Sequence, residues 1–129
     1  MSEETKERIK SFADVPDGWH YGEGVGATEA AIERALEVVV LFEDFDARVI
    51  EALPMVNGGI QVCGFKWHHE VEVDCDPSGN FEDGSILYDD GDFNYERKAV
   101  TVEDIRRILE EELKWNLSYS RQTSHFVLY

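Results

Sequence analysis

Between His68 and Glu96 the chain has neither a lysine nor an arginine, and cysteine, proline and long apolar runs are scarce throughout. Each shortage excludes something. Cys63 and Cys75 are too few for a disulfide framework and lack C-x-x-C spacing, so both are expected as reduced thiols. The longest apolar run, "ALEVVVLF" from Ala35 to Phe42, is broken by Glu37 and is too short to span a membrane. The charged start "MSEETKERIK" has no apolar leader core, and a cytoplasmic protein is expected. With 12 basic residues against 28 acidic ones the formal charge is −16, which repels nucleic acid and anionic membrane alike. Any partner should be basic. G-x-S-x-G, H-E-x-x-H and P-loop patterns do not occur, and "GEGVGA" (Gly22 to Ala27) lacks the preceding strand a dinucleotide fingerprint needs. No catalytic residue, cofactor or metal is expected.

What is present fits one domain over residues 1–129, of which 43% is hydrophobic. Met1 to Phe12 reads as a short amphipathic helix or a frayed end. "ADVPDGWHYGEGVGA" is an irregular loop in which Trp19 is expected to anchor packing. Thr28 is a helix N-cap, followed by the stripe Ile32, Ala35, Leu36, Val39 and Val40; the "VVVLF" that follows is either buried or past the helix end. Pro54 makes the next extended run an edge strand at best, and Asn57-Gly58 turns it into a second strand ending near Trp67. From His69 to Asp76 the alternation is strict: Val71, Val73 and Cys75 on one side, Glu70, Glu72, Asp74 and Asp76 on the other.

A turn centred on Trp67-His68 sets the register: Ile60 opposes Cys75, Val62 opposes Val73, Gly64 opposes Val71, and Cys63 faces Glu72. The two thiols then lie on opposite faces. "DPSGN" is the next turn, with Gly79 or Asn80 at positive φ, and Phe81 to Tyr88 a further strand bulged at Asp83-Gly84. Thr101 and Asp104 form a capping pattern before the stripe Ile105, Ile108, Leu109 and Leu113, in a helix running to Trp115 or Asn116. The closing "LSYSRQTSHFVLY" reads as a final strand or docked tail, with "FVLY" a possible dimer edge. An α+β fold is expected, a twisted antiparallel meander of four to five strands packed against two or three helices.

The segments "DGWHYGEG", "NGGIQV" and "EVEVDCDPSGN", with the helix from Thr28 between them, resemble a diffuse group of small uncharacterised bacterial proteins over about residues 17 to 90. That resemblance implies the fold only, since the group has no established activity.

Metal patterns are incomplete. "DCDPSGNFEDGS" sets Asp74, Asp76, Ser78, Gly79, Asn80 and Glu82 at EF-hand-like positions, but Ser85 stands where the bidentate glutamate belongs and no helices flank it. Cys63, His68, His69 and Cys75 suggest zinc, yet the register separates the thiols, and adjacent histidines on a strand or turn should point apart. The feature with a mechanism is acidic. Glu70, Glu72, Asp74 and Asp76 should form a row with about 7 Å spacing, extended by Glu82, Asp83, Asp89, Asp90 and Asp92, with Phe65 and Trp67 as exposed aromatic anchors. Such a row could occupy the Lys/Arg-lined groove of a nuclease or other nucleic-acid-binding effector, making the chain a non-enzymatic inhibitor or antitoxin-like protein. Two alternatives stand beside it: a surface acidic only for solubility, and an enzyme or ligand-binding domain with its site at His20, Tyr21 and Glu23 in the Trp19 loop.

Overall fold

The computed structural model describes residues 2–116. Acidic residues in the first turn and basic ones in the last complement the dipole of α1 (Glu3–Ser11), which buries Ile9 and passes into a 3₁₀ turn at Phe12–Asp14. The amino-terminal segment is therefore helical. Thr28 Oγ1 caps α2 (Glu29–Asp44) by accepting from Ala31 N at 3.1 Å, and donates to Pro77 O at 2.6 Å. One hydroxyl thus starts the helix and ties it to a turn of the sheet.

The "VVVLF" segment stays helical and buries Val38, Val39, Leu41 and Phe42. Val40, expected in the stripe, is exposed. At about 100° per residue it falls opposite the arc shared by those four side chains.

Five antiparallel strands follow in meander order: β1 (Val49–Pro54), β2 (Ile60–Lys66), β3 (His69–Cys75), β4 (Ser85–Asp89) and β5 (Asn94–Lys98). β1 is an edge strand. The β2–β3 register is the one the alternation requires, with Ile60 opposite Cys75, Val62 opposite Val73 and Cys63 opposite Glu72. Asn57 and Gly58 form the β1–β2 turn, in which Gly58 has φ 92° and Asn57 Oδ1 accepts from Gly59 N at 2.9 Å.

Two strand expectations need correction. The strand proposed from Phe81 begins only at Ser85, because Glu82–Gly84 wind into a 3₁₀ turn with Asp83 at φ 56°. A whole turn, rather than a one-residue bulge, brings both Phe81 and Ile86 into the core. β5 was not anticipated: "NYERK" presents Tyr95 and Arg97 inward, where the Tyr88 and Tyr95 rings stack 5.0 Å apart and Arg97 and Tyr88 both donate to Glu112 Oε1 at 2.8 Å.

Thr101 and Asp104 close a reciprocal capping box at α3 (Val102–Arg107). Winding then loosens to a π turn over Ile108–Glu112, so the helix ends short of Trp115. Trp115 is nonetheless core: it is 1% exposed, lies 6.2 Å from Phe42, and donates from Nε1 to His69 Nδ1 at 3.0 Å. The proposed final strand falls at 117–129, outside the described residues.

The inner sheet face and the helices share one core, where Ile60, Val62, Val71, Val73 and Cys75 meet Ala31, Ala35, Val38, Phe42, Ile105 and Leu109. Gly64 permits the closest approach, since a Cβ there would stand 2.8 Å from the Phe42 ring. No helix among the described residues is long and apolar enough to cross a membrane.

Candidate binding face

With the helices on one side, no helix among the described residues covers the outward side chains of the sheet, although Cys63 is buried among its neighbours and the Glu82–Gly84 turn stands beside Asp74. Pairing lays these side chains out in rows. Val49, Phe65, Glu70, Asp89 and Asn94 oppose one another across the five strands, and beside them run Glu51, Cys63, Glu72, Leu87 and Glu96. Leu53, Gln61 and Asp74 start a third row. Neighbours in such a lattice are separated by about 5 Å across strands and about 7 Å along them.

The expected acidic residues divide accordingly. Glu70, Glu72 and Asp74 share the outward face of β3, and Asp89 stands opposite Glu70. Glu82 and Asp83, in their 3₁₀ turn, join Glu72, Asp74, Leu87 and Glu96 around a hollow of about 220 Å³. Asp74 Oδ1 and Glu82 Oε2 are buried there without a hydrogen-bond partner.

Asp76 leaves the row. Its Oδ1 accepts from Ser78 N, Ser78 Oγ and Asn80 N at 2.9, 2.7 and 3.1 Å, folding the "DPSGN" loop around itself. Burial opposes ionisation, but the Ser78 hydroxyl and the loop amides hold this carboxyl below its usual range. The EF-hand-like spacing is therefore a β-turn, with Gly79 at φ 84°. Asp90 is likewise a turn residue, accepting from Asp92 N and Phe93 N at 3.0 and 2.9 Å, while Asp92 is exposed beside it. The amides of Phe93 and Asp92 keep Asp90 below the ordinary carboxylate range.

Sequence reasoning missed Glu51, Leu87, Phe93 and Glu96. Glu96 and Leu87 oppose each other on β5 and β4, and with Glu70, Glu72, Asp89 and Asn94 they wall a second hollow of about 310 Å³. Phe93, 66% exposed, and Trp67, 58% exposed, project from the two turns at one end of the sheet. Phe65, expected exposed, is half-buried between Val49 and Glu70.

Electrostatically this face differs from the rest of the molecule. Every ion pair found among the described residues lies on the helices or the inner side of β5, such as Lys6–Glu43 at 3.1 Å and Arg97–Glu112 at 2.8 Å. Among those residues no carboxylate from Glu70 to Glu96 meets a lysine or arginine. Burial, then Asp74 and Glu70, raise the Glu72 carboxyl above its usual range.

Cys63 Sγ and the carboxylates of Glu70 and Glu72 lie within 4.8 Å of one another, the one grouping of potential metal ligands among the described residues. Burial first, then Glu72 and Glu70, push the thiol up to about 12, so it is protonated and lies 3.8 Å from Gln61 Oε1. Cys75 faces the core from the opposite side of the sheet. The histidines do not point apart: the His68 and His69 rings lie 4.4 Å from each other, because His68 sits in the turn, where strand alternation does not hold.

No family model, curated protein or solved structure matches the chain.

The Trp19 loop closes on itself. Gly18 N donates to Gly24 O and His20 N to Glu23 O, both at 2.8 Å, and Trp19 Nε1 donates to Val25 O at 3.0 Å. Trp19 is half-buried and anchors its own loop rather than the core, leaving Tyr21 96% exposed at the tip.

Proposed function

We propose that this chain acts by binding, presenting its acidic sheet face to a basic nucleic-acid-binding protein, such as a nuclease or a related effector, and occupying the groove meant for nucleic acid. The observation that carries this reading is the lattice of Glu70, Glu72, Asp74, Asp89 and Glu96, held on a pleated frame without an ion pair among the described residues, with Lys98 at its β5 end the one basic residue in the same strand alternation. A fixed array of like charge costs the fold electrostatic repulsion. A cationic partner converts that repulsion into attraction and speeds encounter. Solubility alone would be served as well by carboxylates spread over the surface or paired in part.

The test is competition. Basic nucleic-acid-binding proteins of the source organism, loaded with a labelled duplex, are titrated with the chain at low and high salt. Displacement at low salt that is lost at high salt is expected. The Glu70→Lys/Glu72→Lys/Asp74→Lys variant, checked for fold by circular dichroism, should lose it by at least about tenfold, roughly 1.4 kcal/mol. Unchanged displacement by that variant overturns the reading.

A further inference from the structure

The same face carries apolar surface that charge mimicry does not require. Val49 and Leu53 on β1 are 47% and 50% exposed with Glu51 between them, Phe65 is half-buried beside Val49, and apolar side chains predominate on the β1–β2 side of the lattice while carboxylates predominate on the β3–β5 side, beside Leu87 and Lys98. We infer that this face, which no helix among the described residues covers, takes a cationic amphipathic α-helix of the partner, its basic flank over Glu70, Glu72 and Asp89 and its apolar flank over Val49, Leu53 and Phe65. This rests on the binding role proposed above and specifies what is bound.

Three observations select the helix. A segment lying on a sheet face finds no backbone partners there, so it must satisfy its own amides and carbonyls, which a helix does and an extended strand does not. Strand addition at the edges is disfavoured. Ile50 O and Ala52 O on β1 are taken by Thr5 Oγ1 at 2.8 Å and Arg8 Nε at 3.2 Å, and β5 is a five-residue edge bearing Glu96, Arg97 and Lys98. The dimensions also fit: five strands span about 19 Å, room for one helix of about 10 Å diameter aligned with the strands. A second copy of this chain is the wrong occupant, since it would lay one molecule of charge −16 on another, acidic row against acidic row.

The probe is a designed lysine–leucine peptide of about five helical turns, compared by fluorescence anisotropy with a scrambled peptide of equal composition and an alternating lysine–valine strand. The amphipathic helix should bind at least about tenfold tighter than either. Val49→Asp/Leu53→Asp adds two negative charges, so a purely electrostatic face would bind more tightly, whereas the proposed face should bind at least about fivefold more weakly. Should that variant fail to fold, Val49→Thr/Leu53→Gln removes apolar surface without charge and should also weaken binding. Equal or tighter binding by the folded variant, or equal binding of the scrambled or strand peptide, overturns the helix inference while leaving the acidic reading intact. Unchanged binding by Glu70→Lys/Glu72→Lys/Asp74→Lys overturns both. A dimer in sedimentation that Val49→Asp/Leu53→Asp dissociates would assign the face to a second copy and also overturns it.

Discussion

Gly64 and His69 show how single side chains fix the distance between the layers. A methyl group at Gly64 would stand 2.8 Å from the Phe42 ring, backed by a helix that cannot withdraw without opening the core. Gly64→Ala should therefore cost about 1–3 kcal/mol, read as a lowered urea midpoint with the slope preserved. His69 holds the indole of Trp115 through an unprotonated Nδ1. Burial and then His68 depress its pKa, with Asp90 opposing. A depressed histidine binds fewer protons folded than unfolded, so stability should fall as pH drops from about 6.5 through the folded value. Glu72 acts oppositely. Its carboxyl is raised, mainly by burial, so its unfavourable contribution is relieved as pH falls. Urea midpoints from neutral pH to the upper carboxylate range should show a shallower acid loss in His69→Gln, which keeps an acceptor for Trp115. Over the same range Glu72→Gln should be more stable than the parent at neutral pH, by a margin that narrows on acidification.

Elements were readable wherever a local rule decided them. Strict alternation from His69 to Cys75 and a tight turn at Trp67-His68 fixed the β2–β3 register, because a one-residue slip would expose Val71 and Val73. Thr28 and the Thr101–Asp104 box marked two helix starts by capping chemistry. β5 escaped because its inward residues are Tyr95 and Arg97, a pattern whose burial makes sense only once Glu112 is known to lie above them. The candidate face divided in the same way. Glu70, Glu72 and Asp74 could be read from one strand, whereas Glu51, Leu87 and Glu96 join them only through pairing across other strands. Asp76 was misplaced because an aspartate's reach to amides two or more residues on outweighs strand alternation at a turn. Thr28 also holds Pro77, so its loss should exceed that of an ordinary cap. Thr28→Ala is expected to cost about 2 kcal/mol, the top of the N-cap range, and Thr101→Ala about 1 kcal/mol, with Thr28→Ser recovering most of the difference in chemical denaturation.

For the molecule as a whole, the placement of charge matters more than the total of −16. If the sheet carboxylates repel one another across the lattice, neutralising three of them should stabilise the fold more than neutralising three exposed carboxylates on the helices, although net charge changes equally. Glu70→Gln/Glu72→Gln/Asp74→Asn can be compared with Glu29→Gln/Glu103→Gln/Glu110→Gln, whose positions are all exposed on the helical layer. At low ionic strength the first triple should unfold at a clearly higher temperature than the parent and the second should change little, since Glu103 surrenders an ion pair with Arg106. Near 1 M salt the Debye length shrinks to about 3 Å, shorter than the spacing along a strand, and the advantage of the first triple should largely disappear. Equal gains from the two triples at low salt would mean that the charge acts as a diffuse solubility shell. That result would remove the electrostatic basis for a dedicated acidic face, whatever the partner.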